Sequence, residues 1–145
     1  MLKKVPELIS PELLKILSEM GHGQEIVIAD GNYPSATHGE ITGRLIRCDG
    51  LGGSELLEAI LELFPLDKSV EASIAYMEVS EGDTYNPVIW KEYQTILEKS
   101  GEENINIEYM GRFDFYERAK SAYAIIATSE KALYSNVILK KGVIE

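Results

Sequence analysis

The sequence predicts an α/β fold: one domain, a three-layer α/β/α sandwich with a mixed sheet. Short apolar runs rich in β-branched residues, such as Ile26–Ala29 and Ala122–Ala127, recur along the chain. Amphipathic segments at helical spacing interleave with them, the pattern of helices laid on both faces of a sheet. The composition is that of one globular domain, with 45% hydrophobic and 26% charged residues over 145 positions. Such a chain buries roughly two-thirds of its unfolded surface and needs no metal or disulfide to fold.

The elements follow in order. Ser10-Pro11-Glu12 starts a helix: Ser10 caps, Pro11 suits the first helical position and Glu12 meets the positive dipole end. Leu13, Leu14, Leu17 and Met20 share its inner face, and Gly21 and Gly23 stop it around His22. Ile26–Ala29 reads as a strand buried on both faces. Residues 31–39, with Pro34 among them, read as a polar loop, and Leu45-Ile46 as a short strand. Asp49–Gly53 is a turn, and Ser54-Glu55 opens a second helix stopped by Pro65. Val70, Ala72, Ile74 and Tyr76 alternate as a half-buried strand. Asn86-Pro87 caps a third helix carrying Ile89, Tyr93, Ile96 and Leu97. Ile105, Ile107 and Tyr109 alternate as a strand, Asp114–Lys120 is a short helix, and strands follow at Ala122–Ala127 and Val137–Leu139. No linker, repeat or low-complexity segment interrupts this order.

Charge and cysteine content exclude several roles. A net charge of −10 argues against nucleic acid and against anionic membrane surfaces. No run approaches 18 apolar residues, and no apolar stretch follows Lys3-Lys4, so neither a membrane span nor a secretion signal is expected. Cys48 is alone, which fits a reducing, cytoplasmic setting. With no obvious partner nearby it reads as a packing residue.

Few residues offer chemistry. His22 sits between two glycines with little cover, and an ordinary imidazole titrates near neutrality, which suits proton transfer. A histidine favouring a helix carboxyl end is the plainer reading of that triplet. Asp30 ends an apolar strand, where an open α/β sheet gathers ligands, although a turn-initiating Asp looks the same. Whether His22 and Asp30 face one pocket depends on the sheet order. Gly50–Gly53 matches no phosphate-binding motif and reads as a turn. His22, Asp30 and His38 lack metal-ligand spacing, so no metal is expected. Arg112 can fork onto hydroxyls or a carboxylate, or simply pair on the surface. Tyr116 reads as core, and Tyr134-Ser135-Asn136 suits either polyhydroxy ligands or a turn.

Taken together, Met20–Gly23, Glu25–Asp30, Leu56–Leu61, Leu63-Phe64-Pro65-Leu66-Asp67, Phe115–Lys120 and Leu133–Val143 resemble the L-fucose mutarotase and D-ribose pyranase family. The resemblance runs from the first helix nearly to the last residue. Leu63–Asp67 and Phe115–Lys120 look like the fucose branch. The ribose branch usually carries Gly-Leu-Pro-Ile-Pro where this chain has Gly31-Asn32-Tyr33-Pro34-Ser35. Gly31 and Ser135 replace other small residues, and Ser129 replaces a usual glycine.

The resemblance implies a catalytic His22 and sugar contacts at Asp30, Arg112, Tyr134, Ser135 and Asn136, with Tyr116 a further pocket member. It implies interconversion of α- and β-L-fucose without a cofactor, and a decameric ring with sites between subunits. The chemistry is consistent, since ring opening and closing needs only proton movement. One group titrating near neutrality contributes on the order of 10²–10⁴-fold. D-ribose pyranase or related monosaccharide mutarotation is the neighbouring reading. A non-catalytic sugar-binding module associated with transport would use the same hydroxyl-binding groups. A phosphate-binding regulator built on Gly50–Gly53 ranks last.

Overall fold

The computed structural model describes residues 1–145. Five helices, α1 (Pro11–Glu19), α2 (Ser35–Thr42), α3 (Gly53–Leu61), α4 (Ile89–Lys99) and α5 (Arg112–Lys120), alternate with six strands. The strands are β1 (Glu25–Ala29), β2 (Leu45–Cys48), β3 (Ile74–Met77), β4 (Ile107–Met110), β5 (Ala124–Thr128) and β6 (Val137–Lys140). They form one mixed sheet in the order β2-β5-β1-β6-β3-β4. Only β6 runs antiparallel to its neighbours, pairing Ile28 with Val137 at one end of β1 and Glu25 with Lys140 at the other.

The two-residue period of the strands divides the core into the expected layers. Ile26, Ile28, Ile74, Tyr76, Ile126 and Leu139 face α1, α3 and α4. Val27, Ala29, Ala75, Met77, Ile125 and Ile138 face the layer of Phe115 and Ala119 from α5. The cap at Ser10 is as expected, with its Oγ accepting from the Leu13 N–H at 3.1 Å.

Several boundaries differ from the sequence reading, including β4 and β5, which begin at Ile107 and Ala124 rather than Ile105 and Ala122. Residues 35–42, expected within or just after a loop, form α2. Its buried positions are Ser35, His38 and Gly39, so no apolar stripe announced it. A Cβ on Gly39 would stand 2.8 Å from the Leu45 Cβ, so the missing side chain is what lets α2 lie close on β2. β3 is shorter than the Val70–Tyr76 alternation and buried at all four positions, because helices cover both its faces. Asn86 does not cap α4; the helix begins at Ile89 without a side-chain cap. α5 begins at Arg112 rather than Asp114.

Because β6 is antiparallel, its two ends reach both ends of β1. Tyr134–Asn136 lead into β6 beside the residue that follows β1, and Lys141-Gly142 leave it beside the turn that precedes β1. This topology places His22, Asp30 and Tyr134–Asn136.

Candidate functional site

The candidate residues fall into two groups at opposite ends of the sheet. The first gathers beyond the carboxyl ends of β1 and β4, with the entry to β6. Asp30 follows β1 and is buried. Its N–H donates to Asn136 Oδ1 at 2.7 Å, and its Oδ1 accepts from the Asn32 N–H at 2.9 Å. Burial raises its carboxyl above the ordinary value, and the N–H groups around it offset only part of that. Asp30 and Asn136, far apart in sequence, are thus joined directly.

Tyr134 has a left-handed backbone, φ 60°, and is held from three sides. Its hydroxyl donates to Asp83 Oδ2 at 2.6 Å and accepts from the Ser80 N–H at 3.3 Å. Its carbonyl accepts from Trp90 Nε1 at 2.7 Å. Ser135 is buried and turns inward, its hydroxyl donating to the Ala132 carbonyl at 2.8 Å while its own carbonyl accepts from Tyr93 at 2.8 Å. These bonds fix the shape of the Tyr134–Asn136 turn; Ser135 contributes through its backbone position.

Arg112 opens α5, exposed, its guanidinium 4.8 Å from the ring centre of Phe113 and outside every ion pair. Tyr116 is half-buried and meets Tyr33 and His38 edge-on, at 5.4 Å and 5.3 Å between ring centres. Tyr33 and His38 are themselves joined, hydroxyl to Nδ1 at 2.7 Å. Burial lowers the His38 imidazole, which favours its neutral form. A cavity of about 240 Å³ beside Asp30 is lined by Gly31, Tyr33, Ser35, Arg47 and Thr128.

The second group lies at the amino end of β1. His22 projects from the turn between Gly21 and Gly23, where Gly23 takes φ +82°. Its Nε2 lies 3.2 Å from Oδ1 of Asp67, with the imidazole 50% exposed and the carboxylate 4% exposed. In the sequence Asp67 stands out only as the last residue of Leu63–Asp67, not as a site residue. Nothing local marks it, since it meets His22 through the fold alone. His22 and Asp30 therefore do not share a pocket within one chain: the five residues of β1 separate their ends by about 16 Å.

The Gly50–Gly53 turn is filled from within. The N–H groups of Gly50, Gly52 and Gly53 donate to Ser129 Oγ, Glu55 and Glu130, which leaves no cradle for an anion. No helix is long and apolar enough to cross a membrane.

Comparison with known proteins agrees with this architecture. A bovine (Bos taurus) protein named fucose mutarotase is 51% identical, covering 99% of this chain and 94% of its own length. The L-fucose mutarotase of Actinobacillus pleuropneumoniae is 46% identical, covering 99% of this chain and 97% of its own. The crystal structure of a fucose mutarotase in complex with L-fucose from Streptococcus pneumoniae is 54% identical. It superimposes with a TM-score of 0.93, covering 99% of this chain and all of that one. The model of the RbsD / FucU transport protein family matches residues 3–144, and the chain belongs to that family.

Proposed function

We propose that this chain, as one sugar mutarotase domain over residues 1–145, interconverts the α and β anomers of L-fucose. The observation that carries the reading is the His22–Asp67 pair: an exposed imidazole backed by a buried carboxylate. This is the arrangement of a general acid/base held in one orientation. Full-length similarity to proteins named fucose mutarotase supports the substrate and the reaction.

The reaction moves protons only. One is delivered to the ring oxygen as one leaves the anomeric hydroxyl, and the bond from C1 to the ring oxygen breaks. The open aldehyde turns about C1–C2, the C5 hydroxyl adds to its other face, and the protons return. His22 carries the proton. Asp30, Arg112, Tyr134 and Asn136 hold sugar hydroxyls, Ser135 shapes their turn, and Tyr116 walls the pocket. Each tenfold acceleration corresponds to about 1.4 kcal/mol, so one positioned acid/base suffices for a reaction that proceeds unaided.

The separation of His22 from Asp30 supports sites assembled between subunits, in which one chain brings His22 and Asp67 and its neighbour brings the hydroxyl-binding turn. A closed ring, a decamer, satisfies every such site. The buried, unpaired Cys48 fits a cytoplasmic location.

NMR saturation transfer between the anomeric protons of L-fucose tests the activity. Wild-type protein is expected to accelerate exchange, more for fucose than for ribose, and a folded His22→Ala variant is expected to lose the acceleration. Unchanged exchange in that variant removes His22 from the mechanism. Binding without acceleration by the wild type replaces the enzyme with a sugar-binding module.

A further inference from the structure

The segment leaving β6 lies at the opposite end of that strand from the Tyr134–Asn136 turn, and it grips both halves of the His22–Asp67 pair. On one side, the Lys141 N–H donates to the Gln24 carbonyl and the Lys141 carbonyl accepts from the Gly23 N–H, both at 2.8 Å. The Lys141 ammonium donates to the carbonyls of Leu17 at 2.7 Å and Met20 at 2.6 Å. These belong to the end of α1, where a helix leaves its last carbonyls without N–H partners. Four bonds from this one residue therefore bracket His22 on both sides of its turn.

On the other side, the Asp67 N–H donates to the Lys140 carbonyl at 3.1 Å, and the Gly142 N–H donates to the Pro65 carbonyl at 2.8 Å. Leu66 pairs with Lys141 as an antiparallel bridge. The approach is close: a Cβ on Gly142 would stand 2.5 Å from the Leu66 carbonyl oxygen and 2.9 Å from the Asp67 Cα. Three consecutive residues thus join the His22 turn to the Asp67 segment, which Asn104 also holds by donating to the Asp67 carbonyl at 2.8 Å.

We propose that Lys141 is a positioning residue for His22. Its ammonium ties down the turn so that the imidazole meets Asp67, while Gly142 admits the Asp67 segment from the other side. The proposal rests on the reading of His22 as the acid/base. A methylene stem filling space, or a helix cap contributing only stability, would not act through Asp67, and that difference is measurable.

The test compares Lys141→Met and Lys141→Arg in the wild-type background and in an Asp67→Ala background, by saturation transfer with L-fucose. Lys141→Met is expected to lower kcat about tenfold while KM stays within about twofold, the split of a lost transition-state alignment. Lys141→Arg, which keeps the donors, is expected to recover most of the rate. In the Asp67→Ala background the Lys141→Met loss is expected to shrink below about twofold, because residues acting through one contact are not additive. Equal losses in both backgrounds, or a loss carried by KM, overturn the proposal.

Gly142→Ala attacks the same alignment from the opposite side and decides the matter if Lys141→Met does not fold; it is expected to show the same dependence on Asp67. A rate unchanged in Gly142→Ala, or a loss indifferent to Asp67, overturns the proposal. The His22 imidazole ¹⁵N resonances separate this idea from the mechanism itself. If His22→Ala keeps full activity, the acid/base reading fails. Positioning then stands or falls on whether Lys141→Met shifts the His22 Nε2 signal toward that of Asp67→Ala.

Discussion

His22 and Asp67 meet at 3.2 Å, one half in solvent and the other almost wholly enclosed. The enclosed partner is the better anchored. Oδ1 of Asp67 also accepts from the Ser69 N–H at 2.9 Å and from the Ser69 hydroxyl at 2.6 Å. A carboxylate so fixed can orient an imidazole that has few contacts of its own and leaves half of its surface exposed.

Asp67→Asn preserves the shape of that contact and removes its charge. We expect fucose exchange to fall about tenfold to a hundredfold, the effect of losing a charge-assisted hydrogen bond behind the acid/base. Stability gives a second readout. Burial pushes the Asp67 carboxyl up, but the two Ser69 donors and His22 outweigh it and hold the group below its ordinary 3.8. A carboxyl lowered on folding contributes stability that is complete above its unfolded value and is lost as pH falls through its folded value. The Tm advantage of wild type over Asp67→Asn is therefore expected to narrow as pH falls from about 5 through the carboxylate range. An advantage that widens in acid contradicts the assignment.

Asp30 has the opposite sign. Burial raises its carboxyl, so folding at neutral pH carries the cost of an enclosed charge. The amide of Asp30→Asn keeps an oxygen for the Asn32 N–H and removes that charge. The variant is expected to be more stable than wild type at pH 7, with the difference closing as pH falls through the carboxylate range. Its kcat/KM for fucose is expected to fall at least about tenfold, since a hydroxyl-binding anion is lost. Thermal scans across pH, run beside saturation transfer, check both halves. A destabilised variant at pH 7 would show that the carboxylate is held for structure rather than for substrate.

The sequence made β1 legible because Ile26–Ala29 is continuously apolar, and α1 legible because Ser10-Pro11-Glu12 carries its own start signal. α2 was hidden because its inner face is made of Ser35, His38 and Gly39, which bury without being hydrophobic. The site was half legible. His22, Asp30 and Tyr134–Asn136 lie on segments that carry the resemblance, which also implies Arg112, so each is a candidate named from the chain alone. Asp67 could not, since contacts distant in sequence, the Leu66–Lys141 bridge among them, carry it to His22. Nor could the division of the site, because it follows from the one antiparallel strand, β6, and its place between β1 and β3.

Ser129 illustrates a departure that the structure accounts for. Its hydroxyl accepts from the Gly50 N–H at 2.7 Å, and its own N–H donates to the Leu51 carbonyl at 2.9 Å. No left-handed backbone is needed there, so glycine is not required. Ser129→Gly is expected to cost about 1–2 kcal/mol of stability, combining a lost hydrogen bond with the greater freedom of an unfolded glycine. Denaturant unfolding measures this, and the fucose exchange rate of the folded variant is expected to match wild type. A large rate loss would place the Gly50 turn in the site.

The proposed division of the site between chains has a direct consequence. His22→Ala and Asp30→Asn each break every site in a homo-oligomer. If one chain supplies His22 and its neighbour supplies Asp30, the two variants repair one another when they assemble together. In a random equal mixture, about one-quarter of the sites pair an intact His22 with an intact Asp30 across an interface. Co-expressed variants are therefore expected to recover roughly a quarter of wild-type exchange, whereas the same proteins mixed after separate assembly stay inactive until their subunits exchange. A double variant carrying both substitutions on one chain, assembled with wild type, is also expected to keep only about one-quarter of its sites. If the site lay within one chain, the first mixture would stay inactive and the second would keep half. The pair of mixtures thus distinguishes a shared site from a self-contained one, even if assembly alters the absolute rate.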